Sequence, residues 1–218
     1  MVPFLAFFLS SIAVNEAYVY ASNHLCTWSD KFCALSEARQ FYVIKNIIKG
    51  YYLAILVVLG ALLIFSRVFL FGVYDNRSIR VLASLYVSND FVGLCRVEKL
   101  ATTTRLHHMC SFVFLVLAWR ADFQTQAVAK MLLYYCYVSA LSFPVNLYLG
   151  LRFCCSEDPE QLRTIAKYVY AFGCLFNWTL QWKLFDGSTE SLCYLALLAL
   201  IVYDDVVLLK WLWKRREE

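Results

Sequence analysis

The sequence has 218 residues, of which 61% are hydrophobic and 17% are charged. Soluble globular proteins have about 45–50% and about 25%, respectively, so this composition excludes an ordinary soluble domain. The net charge is only +4, without the strong excess of lysine and arginine that is typical of nucleic-acid-binding proteins. We therefore expect no nucleic-acid partner. The apolar residues lie in long blocks of nearly membrane-spanning length, which predicts an all-α polytopic membrane protein.

The first apolar block covers residues 3–20. No basic residue precedes it, and Asn15 and Glu16 lie where a signal-peptide cleavage site would need small side chains. We therefore interpret the block as a retained transmembrane helix and not as a signal peptide. The longest predicted loop follows it, over residues 21–50.

Six further apolar blocks follow this loop, over residues 51–74, 81–98, 106–119, 127–152, 165–182 and 192–213. Each is interpreted as a helix, because a segment inside hydrocarbon must pair its backbone groups internally. The sequence thus predicts seven transmembrane helices. The block 106–119 is shorter than the ~20 residues that a span needs, so we expect its helix to begin in the polar stretch before it.

Seven crossings divide the 20 lysines and arginines unequally between the two faces of the membrane. One face has only Arg67, Arg77, Arg80, Arg120, Lys130 and Lys183. The other face has the remaining basic residues, among them Lys45 and Lys49 in the predicted loop and Lys99, Arg215 and Arg216. The richer face and the C-terminus are predicted to face the cytoplasm or the mitochondrial matrix. We expect an organelle membrane, either the endoplasmic reticulum or the mitochondrial inner membrane.

A small group of ionisable residues lies inside the predicted spans, where each charge costs about 2.5–3.5 kcal/mol on insertion scales. Asp90 lies in the third helix, and His107 and His108 open the fourth. A short connection should pack these helices as an antiparallel hairpin. Adjacent residues on a helix diverge by about 100°, so at most one histidine can point straight at the bundle axis. The histidines are candidates for a base or an acyl acceptor, and the alternative is hydrogen bonding that joins the two helices.

Asp204 and Asp205 are neighbouring acids inside the last span. Two unpaired carboxylates there would be very costly. We expect them to pair with Arg67 or Arg152, or to contact another membrane-protein subunit.

Three segments in this order resemble the TLC-domain family, which includes ceramide synthases and several lipid-regulating membrane proteins. They are Asp90, the segment LHHMCS at 106–111, and the segment ALSFPVNL at 140–147. The resemblance covers residues 43–213. It implies a TLC-like transmembrane domain at 43–218, which is a six-helix barrel with an acyl-accepting cavity, preceded by an N-terminal helix and connecting loop at 1–42. The cavity residues that it implies are Asp90, His107, His108, Ser111, Ser142, Pro144 and Asn146.

The sequence departs from the family pattern at positions where the family has acidic residues. Ala140 occupies a position where the family usually has glutamate, and the stretch QTQAVAKMLLYY at 124–135 lacks the aspartate pair of ceramide synthases. The resemblance therefore does not imply ceramide synthesis. Pro144 should free the carbonyl of Ala140 and kink its helix, either to open the cavity wall or as a tolerated transmembrane proline.

Three functions follow as hypotheses. The first is a noncatalytic TLC-like protein that binds or senses acyl chains and affects membrane lipid composition, with a bound phospholipid or acyl chain and no other cofactor. The second is an accessory subunit of a larger membrane complex such as a respiratory assembly. The third is an acyltransferase that uses His107 or His108. The nine cysteines form no C-x-x-C pair, which argues against a zinc or iron–sulfur site.

Overall fold

A computed structural model of the protein describes residues 1–98 and 100–214. Within these residues the chain forms α-helices and one π-helical turn and contains no β-strand, so the all-α prediction is confirmed. The predictions for Lys99, Arg215 and Arg216 lie outside the described residues. The helices are α1 (Val2–Trp28), α2 (Asp30–Cys33), α3 (Glu37–Gly60), α4 (Ser66–Phe71), α5 (Asn76–Arg96), α6 (Thr102–Arg120), α7 (Ala127–Ala140), α8 (Phe143–Leu151), α9 (Glu160–Leu184) and α10 (Thr189–Trp213).

Several of these helices follow one another end to end. The π-helical turn Ala61–Phe65 joins α3 to α4, and α7 continues into α8 after a two-residue interruption. Four segments among the described residues are long and apolar enough to cross a membrane: Val2–Trp28, Glu37–Phe71, Ala127–Leu151 and Thr189–Trp213. These helices are compatible with an integral membrane protein, whereas the count of seven spans stays a prediction.

The prediction of a long loop over residues 21–50 is wrong. Helix α1 continues to Trp28 and α3 begins at Glu37, so only a short connection containing α2 remains. The Ser29 hydroxyl fixes this connection, because it accepts a hydrogen bond from the Phe32 amide and donates one to the Cys154 carbonyl. Lys45 and Lys49, which were placed on the basic face, instead lie on α3 and are buried.

The N-terminal helix belongs to the same bundle as the rest of the chain. The Phe7 ring packs edge-on against the Phe91 ring of α5, with 5.4 Å between the centroids. The Ser10 hydroxyl lies within hydrogen-bond distance of the hydroxyls of Tyr52 and Ser88. The predicted boundary between residues 1–42 and 43–218 falls inside α3, and the division into these two parts stays a prediction.

Helices α3 and α8 pack closely because glycines face the contact. A Cβ atom at Gly50 would lie 2.5 Å from Leu147 Cδ2, and one at Gly150 would lie 2.6 Å from Ile47 Cγ1. Small residues at such positions allow two helix backbones to approach. The glycines thus allow the backbones of α3 and α8 to lie close together along this contact.

Two local predictions are confirmed. The fourth predicted helix begins earlier than its apolar block, since α6 starts at Thr102. Near Pro144, α7 ends at Ala140 and α8 starts at Phe143. Proline has no amide hydrogen to donate to the carbonyl four residues earlier, and this explains the interruption.

Candidate functional site

Asp90 lies at the centre of a buried polar cluster. The Lys49 ammonium donates a hydrogen bond to Asp90 Oδ1 over 2.5 Å. On the other side of the carboxylate, His108 Nδ1 lies 3.1 Å from Asp90 Oδ2, in a close contact without hydrogen-bond geometry. The side chains of Asp90 and His108 are 1% and 2% exposed. Asp90 thus joins α3 and α6 through α5.

His107 faces a different carboxylate. Its Nδ1 lies 3.2 Å from Asp204 Oδ2 on α10, and the Thr104 hydroxyl donates to Asp204 Oδ1 over 3.4 Å. The two imidazoles lie edge to face, with 5.5 Å between their centroids. The divergence of adjacent side chains on α6 therefore directs one histidine to α5 and the other to α10.

Asp205 is held by tyrosines. The hydroxyl of Tyr170 donates to Asp205 Oδ1 over 2.7 Å, and that of Tyr135 donates to Asp205 Oδ2 over 3.0 Å. Hydrogen bonds to a buried carboxylate offset the loss of water. Both acids of α10 therefore have partners within the chain, and a contact with another subunit stays a prediction.

The predicted pairing of Arg67 with these acids is wrong. Arg67 Nη1 donates to Asp75 Oδ2 over 3.2 Å, in the connection between α4 and α5 at the opposite end of the bundle. A hydrogen bond from Ser78 is the main cause that lowers the pKa of Asp75 below its ordinary value. Arg152 lies at the same end as Asp204 and stacks on Phe153 and Trp211, each ring centroid 4.5 Å from Cζ.

A polar cavity of about 340 Å³, here called the polar chamber, adjoins these groups. Its volume is within the range of small-molecule sites. Its lining includes the partly exposed Thr103 and Thr104, near the connection between α5 and α6. Its ionisable lining residues are Tyr42, Lys45, Lys49, Tyr86, His107, His108, Arg152, Tyr170, Cys174, Asp204 and Asp205.

A second cavity, of about 80 Å³ and with mostly apolar walls, lies beside the polar chamber. It is called the apolar cavity below. His107 and Tyr86 line both cavities, so they lie between the two. Ala140 and Ser111 are part of the apolar wall. The residue that replaces the family's glutamate thus contributes to an apolar surface here.

The remaining residues predicted from the resemblance are distributed around these cavities. Ser142 and Asn146 line the polar chamber, and Asn146 Nδ2 donates to the Ser142 carbonyl over 3.4 Å. The Ser111 hydroxyl donates to the His107 carbonyl over 3.1 Å. Pro144 is buried on α8 and interrupts the helix, but it is not among the described residues that line either cavity.

Sequence reasoning missed Lys45, Lys49, Tyr135 and Tyr170. The two lysines are four residues apart and therefore lie on one face of α3. That spacing, within the segment VIKNIIKGYYLAIL, was an available signal of a buried cationic face. No local signal distinguishes Tyr135 and Tyr170 from the other tyrosines of this chain.

Asp90, His107 and His108 form a group whose potential ligand atoms all lie within 4.8 Å of one another. Two imidazoles and one carboxylate could hold a transition metal. However, the Lys49 ammonium already contacts Asp90, and a divalent cation beside an ammonium group would be repelled. The arrangement therefore favours a chain of polar contacts from Lys49 through Asp90 to His108 over a metal centre.

No family model, no curated protein and no solved structure matches this chain.

Proposed function

We propose that this protein binds an amphipathic lipid inside its helix bundle and thereby affects the lipid composition of its membrane. The observation that carries the proposal is that the two cavities are neighbours, because His107 and Tyr86 line both the polar chamber and the apolar cavity. A lipid head group would occupy the chamber, and the adjoining part of its hydrocarbon chain would occupy the apolar cavity.

Recognition would come mainly from the head group. Bilayer hydrocarbon and an apolar cavity are similar solvents, so moving a lipid tail between them gains little free energy. The apolar cavity, about 80 Å³, is smaller than an engineered cavity of ~150 Å³ that binds benzene. It would therefore take only a short stretch of hydrocarbon, while the polar chamber provides the selective contacts.

The TLC-like relationship is part of this proposal. It is supported by the placement of His107 and His108 on the chamber wall and of Ser111 on the wall of the apolar cavity. A location in the endoplasmic reticulum or the mitochondrial inner membrane, with the C-terminus in the cytoplasm or matrix, extends the proposal to the cell.

The test is mass spectrometry of lipids that copurify with the protein in a mild detergent. Ala118 lines only the apolar cavity, and Ala118→Leu adds three carbon atoms to that space. The variant should lose most of the copurifying lipid. Ala199→Leu is the matched control, since Ala199 is exposed on α10. If the wild-type protein carries no lipid beyond that of an unrelated membrane protein, the proposal fails.

A second candidate function is acyl transfer, and a specific observation favours it. Each imidazole has a carboxylate near its Nδ1 atom. A carboxylate in that position orients the ring and supports its use as a base or acyl acceptor. His107 lies between the cavities, where the carbonyl between a polar head and an acyl chain would be.

The acyl-transfer candidate predicts that His107→Ala abolishes transfer from an acyl thioester to an amine or alcohol. The third histidine of the chain, His24, is exposed on α1 and provides the control His24→Ala. Equal transfer by the wild type and by His107→Ala would exclude this function. Loss of activity in His107→Ala but not in His24→Ala would favour it over simple lipid binding.

A further inference from the structure

Lys45 is a buried lysine without a direct ion pair among the described residues, although the carboxylates of Asp90 and Asp204 lie near enough to interact with it electrostatically. Its side chain lies on α3 and the residue is only 4% exposed. None of the hydrogen bonds or ion pairs found among the described residues involves it. Lys49, one turn further along α3, differs in this respect because it contacts Asp90.

The position of Lys45 is set by α5. A Cβ atom at Gly93 would lie 3.4 Å from both Cγ and Cε of Lys45, so the aliphatic part of the lysine packs along the glycine backbone. Lys45 also lines the polar chamber.

A buried ammonium group is costly unless an anion compensates for the water that it loses. The nearby acids already have other partners. Asp90 contacts Lys49 and His108, and Asp204 contacts His107 and Thr104. The protein thus leaves a cation facing a cavity large enough for a ligand.

We propose that the polar chamber binds the anionic oxygens of a phosphate or carboxylate head group, with Lys45 as their main counter-charge. This inference rests on the proposed lipid-binding function and specifies the head group. Arg152, which also lines the chamber, adds positive charge near the same space. The Asp204 carboxylate, which also lines the chamber, would repel the anion, so we expect the anionic oxygens to lie closer to Lys45 on α3 than to Asp204 on α10.

The experiment compares ligands with one tail and different heads, added to the full chain in a neutral maltoside detergent. The probes are oleate, oleoyl lysophosphatidic acid, neutral mono-olein and inorganic phosphate without a tail. Native mass spectrometry measures binding, and thermal unfolding measures stabilisation by each probe. A charge-assisted contact predicts that at least one anionic lipid binds roughly tenfold or more tightly than mono-olein.

The variant Lys45→Met keeps an unbranched side chain that is one atom shorter and removes its charge. It should bind the anionic lipids only as tightly as mono-olein. The control is Lys210→Met, because Lys210 is exposed near the end of α10 and would contribute only general attraction to anions. If Lys45→Met does not fold, the comparison of probes on the wild-type protein still shows whether the chamber prefers an anionic head group to a neutral one.

The outcomes separate this inference from the proposed function. Equal binding of charged and neutral lipids, or unchanged binding in Lys45→Met, overturns the anionic head group but leaves lipid binding intact. Binding of none of the lipids overturns both. Binding of inorganic phosphate as tightly as lysophosphatidic acid, with loss in Lys45→Met, supports the anion site but identifies a soluble phosphate compound as its source, against the lipid proposal.

Discussion

His107 and His108 are adjacent on α6, yet their imidazoles contact carboxylates on different helices. His108 Nδ1 lies 3.1 Å from Asp90 on α5, and His107 Nδ1 lies 3.2 Å from Asp204 on α10. One dipeptide therefore connects α6 to two neighbouring helices. It also presents two imidazoles in different environments, one enclosed and one between the cavities.

The ion pair of Lys49 and Asp90 should be strongly coupled. Asp90→Asn leaves a buried ammonium without its anion, and we expect it to lower the free energy of unfolding by about 3–5 kcal/mol. The double variant Asp90→Asn with Lys49→Met removes both charges and should recover part of that loss. Thermal unfolding in detergent measures the four proteins of this cycle. Strictly additive effects of the two substitutions would show that the pair is not an energetic unit.

The tyrosine contacts of Asp205 should stabilise the fold. Tyr170→Phe removes the donor that lies 2.7 Å from the carboxylate and should cost about 1.5–3 kcal/mol, as is typical of hydrogen bonds to charged groups. Tyr168→Phe on the same helix is the control, because Tyr168 is 56% exposed. It should change stability by less than ~0.5 kcal/mol. Similar melting temperatures for the two variants would contradict the role of Tyr170.

The close approach of α3 and α8 should not tolerate a methyl group. Gly150→Ala would place Cβ 2.6 Å from Ile47 Cγ1 and 3.1 Å from the Val43 carbonyl oxygen. Because the second contact is with backbone, we expect a loss of about 1–3 kcal/mol from overpacking.

The control for this substitution is Gly173→Ala on α9. No atom lies within 4 Å of a Cβ added at Gly173, and alanine is a better helix former than glycine by roughly 0.5–1 kcal/mol. Thermal unfolding should therefore show a lower midpoint for the first variant and an unchanged or higher midpoint for the second. The reverse order would mean that the two helices pack differently.

The prediction of seven spans can be tested by topology mapping. An odd number of crossings places the two termini on opposite sides of the membrane, with the C-terminus on the side richer in lysine and arginine. Reporters fused separately to each terminus and probed with protease in sealed vesicles should respond oppositely. Protection of both reporters, or of neither, would require an even number of spans.

The sequence by itself determined the class of the fold and the helices that carry the histidine site. Long apolar blocks are a local property, and they predicted helices because backbone groups in hydrocarbon must pair within their own segment. The antiparallel relation of α5 and α6 likewise followed from a short connection, so Asp90 could be expected near His107 and His108. Both inferences depend only on residues that are close to one another in the sequence.

Only the tertiary structure decided which distant groups meet. A lysine in the sequence looks the same in an aqueous loop and in a helix interior, so Lys45 and Lys49 were placed at the surface. The packing of α3 against α5, where Lys45 lies along Gly93 and Lys49 contacts Asp90, is what buries them. The partners of Asp205 and the volume of the polar chamber also arise from several helices at once, and no local pattern encodes such distances.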